Sequence, residues 1–90
     1  MKITFDAGKQ DRTLQEHGLD FADAGEIFSG KFFTAEDVRQ NYGEIRFVSV
    51  GRLGGRTVVV VWTPRGDAHH IISMRKANER EQERYARHLD

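Results

Sequence analysis

The alternation of apolar and polar positions divides the chain into elements. Lys2 to Phe5 alternates, with Ile3 and Phe5 on one side, and predicts a short first strand. Asp6 is placed to cap a helix that runs through Lys9, Thr13 and Leu14 to His17 and stops at Gly18, a residue suited to the left-handed position after a helix end. Asp20 opens a second helix in which Phe21, Ala24, Gly25 and Phe28 recur at helical spacing, with Ile27 beside them and Gly30 at the end. Between Lys31 and Tyr42 no period is clear, and the stretch reads as an ordered loop with a helical turn at Ala35 to Arg39. Three apolar stretches follow, Glu44 to Leu53, Arg56 to Thr63 and Ala68 to Arg75. Gly54-Gly55 joins the first pair and Pro64-Arg65-Gly66-Asp67 the second, so consecutive antiparallel hairpins are expected. Thr57 to Trp62 is apolar at every position after the first, which predicts a central strand covered on both faces. From Asn78 the residues are charged helix formers, so the last strand runs into a terminal helix. The resulting order, β-α-α-β-β-β-α, describes an α+β protein with a small antiparallel sheet.

Ninety residues hold one compact domain, 1–90, and no second core. The apolar share is 38% and the charged share 31%, so the core is small and the surface is either heavily solvated or partly covered by a partner. The chain has no cysteine, which excludes disulfides and thiolate metal sites. Val58 to Trp62, the longest apolar run, is far too short to span a membrane. The first residues are not a signal peptide, and a cytoplasmic location with no membrane partner is expected. Formal net charge is zero, but its distribution is dipolar. Residues 1–45 carry five basic and nine acidic side chains, whereas residues 46–90 carry nine basic, eight of them arginine, and five acidic. Arginine suits bidentate recognition of phosphate or carboxylate, although a row of solvated surface arginines has the same composition.

Candidate chemistry gathers where the last strand becomes a helix. Arg75 and Lys76 are adjacent there, and Arg80, Arg84, Tyr85 and His88 lie within helical reach. No His-x-x-x-His or cysteine pair is present for a metal, and His69 and His70 on a strand point to opposite faces. Gly51-Arg52-Leu53-Gly54-Gly55-Arg56 is glycine-rich but lies between two strands, unlike a phosphate-binding loop that opens a helix. No cofactor is implied.

The order Phe5-Asp6, Lys9, His17-Gly18, Phe21 and Ala24, Arg46-Phe47, Gly51, Gly55-Arg56, Ile71-Ile72-Ser73-Met74-Arg75-Lys76-Ala77, Glu81 and Tyr85 resembles the BrnT toxin family over nearly the whole chain. The resemblance implies a toxin of a type II toxin–antitoxin pair, with a fold similar to RelE-type ribonucleases and metal-independent cleavage of RNA. It also implies a partner antitoxin of BrnA type, held in a hetero-oligomer. The ribbon-helix-helix portion of such an antitoxin binds operator DNA, which the toxin reaches only through it. This chain departs from the family's usual residues, with Phe5 in place of Trp, Thr13 in place of Asn and His70 in place of Arg. His70 is then either a titratable replacement for a fixed cation or a weakening of the site. The departures leave a rival expectation, a catalytically inactive module that binds the antitoxin and tunes its grip on operator DNA.

Metal-free RNA cleavage needs a base for the 2′-hydroxyl, cations for the phosphorane-like transition state and an acid for the leaving 5′-oxygen. His17, Arg56, Arg65, Arg75, Lys76 and Tyr85 are the catalytic candidates, with Lys9, Arg52 and His70 as RNA contacts and His69 in reserve. Four of them have a plainer alternative. His17 can be a helix-end residue, Arg56 can pair with a carboxylate across its hairpin, Lys9 can be a solvated helix residue and Tyr85 can anchor the terminal helix. Arg75 stands out because it ends a strand where sheet and helix meet, and replacing it or Arg65 with Ala is expected to abolish toxicity and spare the fold.

Overall fold

The computed structural model describes residues 1–90. β1 (Lys2–Phe5) leads into α1 (Ala7–His17), then a single 3-10 turn (Phe21–Asp23) and α2 (Ala24–Ser29). β2 (Phe32–Glu36), β3 (Phe47–Leu53), β4 (Arg56–Arg65) and β5 (Ala68–Lys76) follow, and α3 (Glu79–Leu89) closes the chain. The architecture is α+β, with one five-stranded sheet in the order β1-β5-β4-β3-β2. No helix is long and apolar enough to cross a membrane.

The cap signals act as their chemistry requires. Asp6 accepts the Lys9 amide at 2.9 Å, and Gly18 takes φ 67° while its amide closes on the Leu14 carbonyl. Asp20 caps the 3-10 turn by accepting the Ala22 amide, so the second helical stretch starts as a tight turn and becomes α-helical only at Ala24. Asn78 and Glu81 form a reciprocal capping box at the start of α3.

Four expectations are corrected. The stretch read as a loop with a helical turn at Ala35 to Arg39 contains β2, which pairs antiparallel with β3 from Phe32 opposite Gly51 to Glu36 opposite Phe47. β2 is an edge strand exposed at every position, so no buried face imposes alternation on its sequence. The sheet is mixed, because β1 lies parallel to β5 with Thr4 opposite His70. β3 begins at Phe47 and not at Glu44. Pro64 and Arg65 belong to β4, leaving Gly66-Asp67 as the turn. Pro64 is tolerated because β3 stops opposite Trp62, so beyond that point β4 has an open edge where a missing N–H costs nothing.

β4 is central, as its continuous apolar run predicts, with Val58, Val59 and Val60 all buried between β3 and β5. Its two faces support different cores. Val58, Val60 and Trp62, with Ile71 and Met74, pack under Phe21, Ala24, Ile27 and Phe28. Here Gly51 lets α2 approach closely, since a Cβ at that position would sit 2.6 Å from Ile27 Cγ2. On the other face Val50 and Val59 pack with Ala77 and Leu89, and α3 lies over β2 and β3. The shift in pairing between Val61 and Trp62 leaves Ile72 as an extra residue in β5. Because α3 covers only part of its face, Thr63, His70, Ser73 and Arg75 are carried on the remainder by β4 and β5.

Candidate active site

His70 sits at the sheet corner where β1 ends. Its Nδ1 is 2.9 Å from the Thr4 hydroxyl, a contact made by the parallel pairing of β1 with β5. That bond fixes the ring and leaves Nε2 as the nitrogen available for chemistry. Burial holds the imidazole below its ordinary pKa of 6.5 and the Arg65 and Lys9 charges push it the same way, against Glu44 and Asp6. At neutral pH His70 is therefore an uncharged base beside two cations.

The rim of this corner is built by the segment between β2 and β3. Asp37 is buried and accepts two hydrogen bonds at 2.8 Å from Arg39 and one from the Tyr42 hydroxyl, which hold its carboxyl far below the usual range. The Arg46 guanidinium lies 4.1 Å over the Tyr42 ring and pairs through Nε with Glu44 at 3.1 Å. Glu44 also faces Arg65 at 3.9 Å, and Thr63 donates to the Ile45 carbonyl at 2.7 Å. A segment without regular structure is thus pinned at both ends, and it brings Glu44 to Arg65 of β4, where both charges act on His70.

Arg75 shares the face of His70 but lies farther along, since their partners on β4, Val59 and Thr63, are separated by about 13 Å of strand. Both terminal nitrogens of Arg75 donate to Glu81 at 2.7 Å, a bidentate pair that ties β5 to the first turn of α3. The expectation that Arg75 can be replaced without structural cost is accordingly revised. The Arg75 hydrogen bonds lower the Glu81 pKa to about 2. A depressed carboxylate stabilises the fold above its ordinary value of 4.5, and that contribution is lost as pH falls from 4.5 towards 2. The guanidinium is half exposed, so the effect is on the order of 1 kcal/mol. Glu81→Gln is expected to lower stability at pH 7 and to flatten its decline below pH 4.5, as read from denaturant midpoints across pH.

The other sequence-derived candidates lie apart. Lys9, in the first turn of α1, joins the His70 corner through its charge, as does Arg65. Arg56 and Lys76 meet in a separate cleft of about 440 Å³ with Gly18, Asp20, Asp23 and Glu26. Arg52 is held by Asp90 at 2.6 Å at the β3–β4 end of the sheet. His17, half exposed at the end of α1, faces only Glu16 at 4.0 Å. Tyr85 packs its ring 5.2 Å from Phe33, the anchoring role that its position also allows. His69 faces away from His70 and stacks on Trp62 at 3.9 Å, with burial lowering its pKa. The reading of the sequence missed Thr4, Glu44 and the Asp37 cluster. Only the Asx-like spacing of Asp37 and Arg39 carries a local signal, because the remaining contacts cross the sheet. No three His, Asp or Glu side chains converge as a metal site requires.

The fold places an imidazole and arginines on an open sheet face, and comparison with known families gives the class, a ribonuclease toxin of a type II toxin–antitoxin system. The chain belongs to the BrnT family of such toxins, whose family model matches residues 5–81. No curated protein matches the chain. As a toxin of this type it has an antitoxin partner.

Proposed function

We propose that the corner around His70 cuts single-stranded RNA by transesterification without a metal ion. The observation that carries this reading is the Thr4-oriented imidazole at the sheet corner, kept neutral by burial and by the charges of Arg65 and Lys9. His70 Nε2 takes the proton of a 2′-hydroxyl, and the 2′-oxygen attacks the adjacent phosphorus. Arg65 grips the two non-bridging oxygens as charge builds on them. The bond from phosphorus to the 5′-oxygen breaks, and the Lys9 ammonium supplies the proton to that leaving oxygen. The products are a 2′,3′-cyclic phosphate and a 5′-hydroxyl. Glu44, facing Arg65, keeps the guanidinium turned towards the corner. His70 thus replaces a fixed cation with a titratable base.

The antitoxin is of BrnA type, a ribbon-helix-helix protein that binds operator DNA and holds the toxin in a hetero-oligomer. Its acidic residues compete with RNA phosphate for the cations of the open face.

The purified chain, incubated with single-stranded RNA in excess EDTA, is expected to give fragments ending in cyclic phosphate and to leave 2′-O-methyl RNA intact. Cleavage that appears only on addition of a divalent metal defeats the mechanism. Binding of the antitoxin with no cleavage under either condition makes the protein an interaction module.

A further inference from the structure

Opposite the His70 corner, the turn between β3 and β4 places Gly54 and Gly55 at φ 60° and 77°, and the strands on either side leave an open notch against α3. A cleft of about 430 Å³ there is lined by Arg52, Arg56, Thr57 and Gln82 together with the two glycines. Its walls offer two guanidinium groups, a hydroxyl and an amide, and no carboxylate lines it. The one acidic group that engages these arginines is Asp90, which pairs with a single terminal nitrogen of Arg52 and is itself exposed. Arg56 forms no ion pair. The neighbouring cleft shares Gly54 and Arg56 and adds Lys76, but its far wall carries Asp20, Asp23 and Glu26, which repel a polyanion and restrict it to the side of Arg52 and Gln82.

Thr57 projects on the same face of β4 as Thr63, the partner of His70, at a separation of about 20 Å along the strand. Between them on that face lies Arg75.

We propose that the Arg52–Arg56–Gln82 cleft is a second phosphate subsite, which holds the backbone of single-stranded RNA several nucleotides from the bond that is cut. The proposal rests on the ribonuclease reading above and adds to it a reason for length dependence. Phosphate oxygens accept from the exposed ends of the Arg52 and Arg56 guanidinium groups, while Thr57 and Gln82 complete the notch. Such a subsite gives affinity without base readout and a marked dependence on salt.

The test measures fluorescence anisotropy of uncleavable 2′-O-methyl oligoribonucleotides of about twelve and about three nucleotides. The parent is compared with Arg56→Gln, which disturbs no ion pair, and with Gln82→Glu, which places a carboxylate in the notch and also gives up the hydrogen bond that Gln82 Nε2 donates to the Ala77 carbonyl, so its unfolding midpoint is read beside its affinity. Each variant is expected to bind the longer oligomer about tenfold more weakly and the shorter one as the parent does. For Arg56→Gln the slope of log affinity against log salt is expected to shrink by about 0.7. Equal affinities for the longer oligomer, or no binding by the parent, overturn the subsite. So does a loss confined to antitoxin affinity, which would make the notch a protein contact. If these losses occur but the parent cuts no RNA, the subsite stands and the cleavage reading fails.

Discussion

Replacing His70 with Gln is expected to slow RNA cleavage by about 10²–10⁴-fold and to leave the unfolding midpoint near that of the parent. Glutamine retains an N–H that can donate to the Thr4 hydroxyl oxygen, as Nδ1–H does when Nε2 is the base, and fills similar space, so the loss isolates proton transfer from packing. The pH dependence supplies a second check. With the imidazole pKa lowered, the acid limb of kcat/KM falls below pH 6.5. Arg65→Ala moves that limb upward, because it removes a charge that disfavours the imidazolium. The same depressed pKa means that the unfolded chain binds a proton before the folded one does, so His70 destabilises the fold as pH drops below 6.5. A parent-like rate for His70→Gln transfers the base role to another group. An acid limb that ignores Arg65 separates the two residues.

Phe21→Ala is expected to cost about 3–5 kcal/mol, a large part of the about 5–15 kcal/mol that a small domain typically possesses. Phe21 is fully buried, meets the Phe5 ring edge-on at 6.0 Å, and joins the 3-10 turn to the sheet. Neither Ile27 nor Phe28 is free to fill the cavity, since Ile27 already abuts Gly51 and Phe28 meets Phe32, Trp62 and His69 edge-on. Denaturant unfolding checks it, with a lowered midpoint and an unchanged slope. RNA cleavage and antitoxin binding fall together in this variant as the folded fraction falls, whereas His70→Gln lowers cleavage alone. A midpoint shift worth less than about 1 kcal/mol is incompatible with the core packing around Phe21.

Both changes bear on how the molecule divides its labour. The helix-covered face, which contains Phe21, holds the domain together. The opposite face is covered by α3 only where Leu89 and Ala77 reach it, and the remainder is free to carry polar chemistry. The joint between the two regions is the Arg75–Glu81 pair, which serves the cap of α3 and the edge of the open face at once.

Local chemistry was legible from the residues alone. The caps at Asp6 and Asp20, the stop at Gly18, the Gly54-Gly55 turn and the central position of the valine run each depend on neighbours within a few residues, so a one-dimensional reading finds them. The opposite facing of His69 and His70 follows from strand geometry in the same way. Tertiary structure alone decided that β1 lies parallel to β5, that Phe32–Glu36 extends the sheet as an exposed edge, and that the candidate residues separate into a His70 corner and an Arg52–Arg56 end. The physical reason is the range of the contacts. Thr4 and His70 are sixty-six residues apart in sequence, an edge strand leaves no burial pattern to read, and arginines that look alike along the chain differ only in which carboxylate folding brings to each.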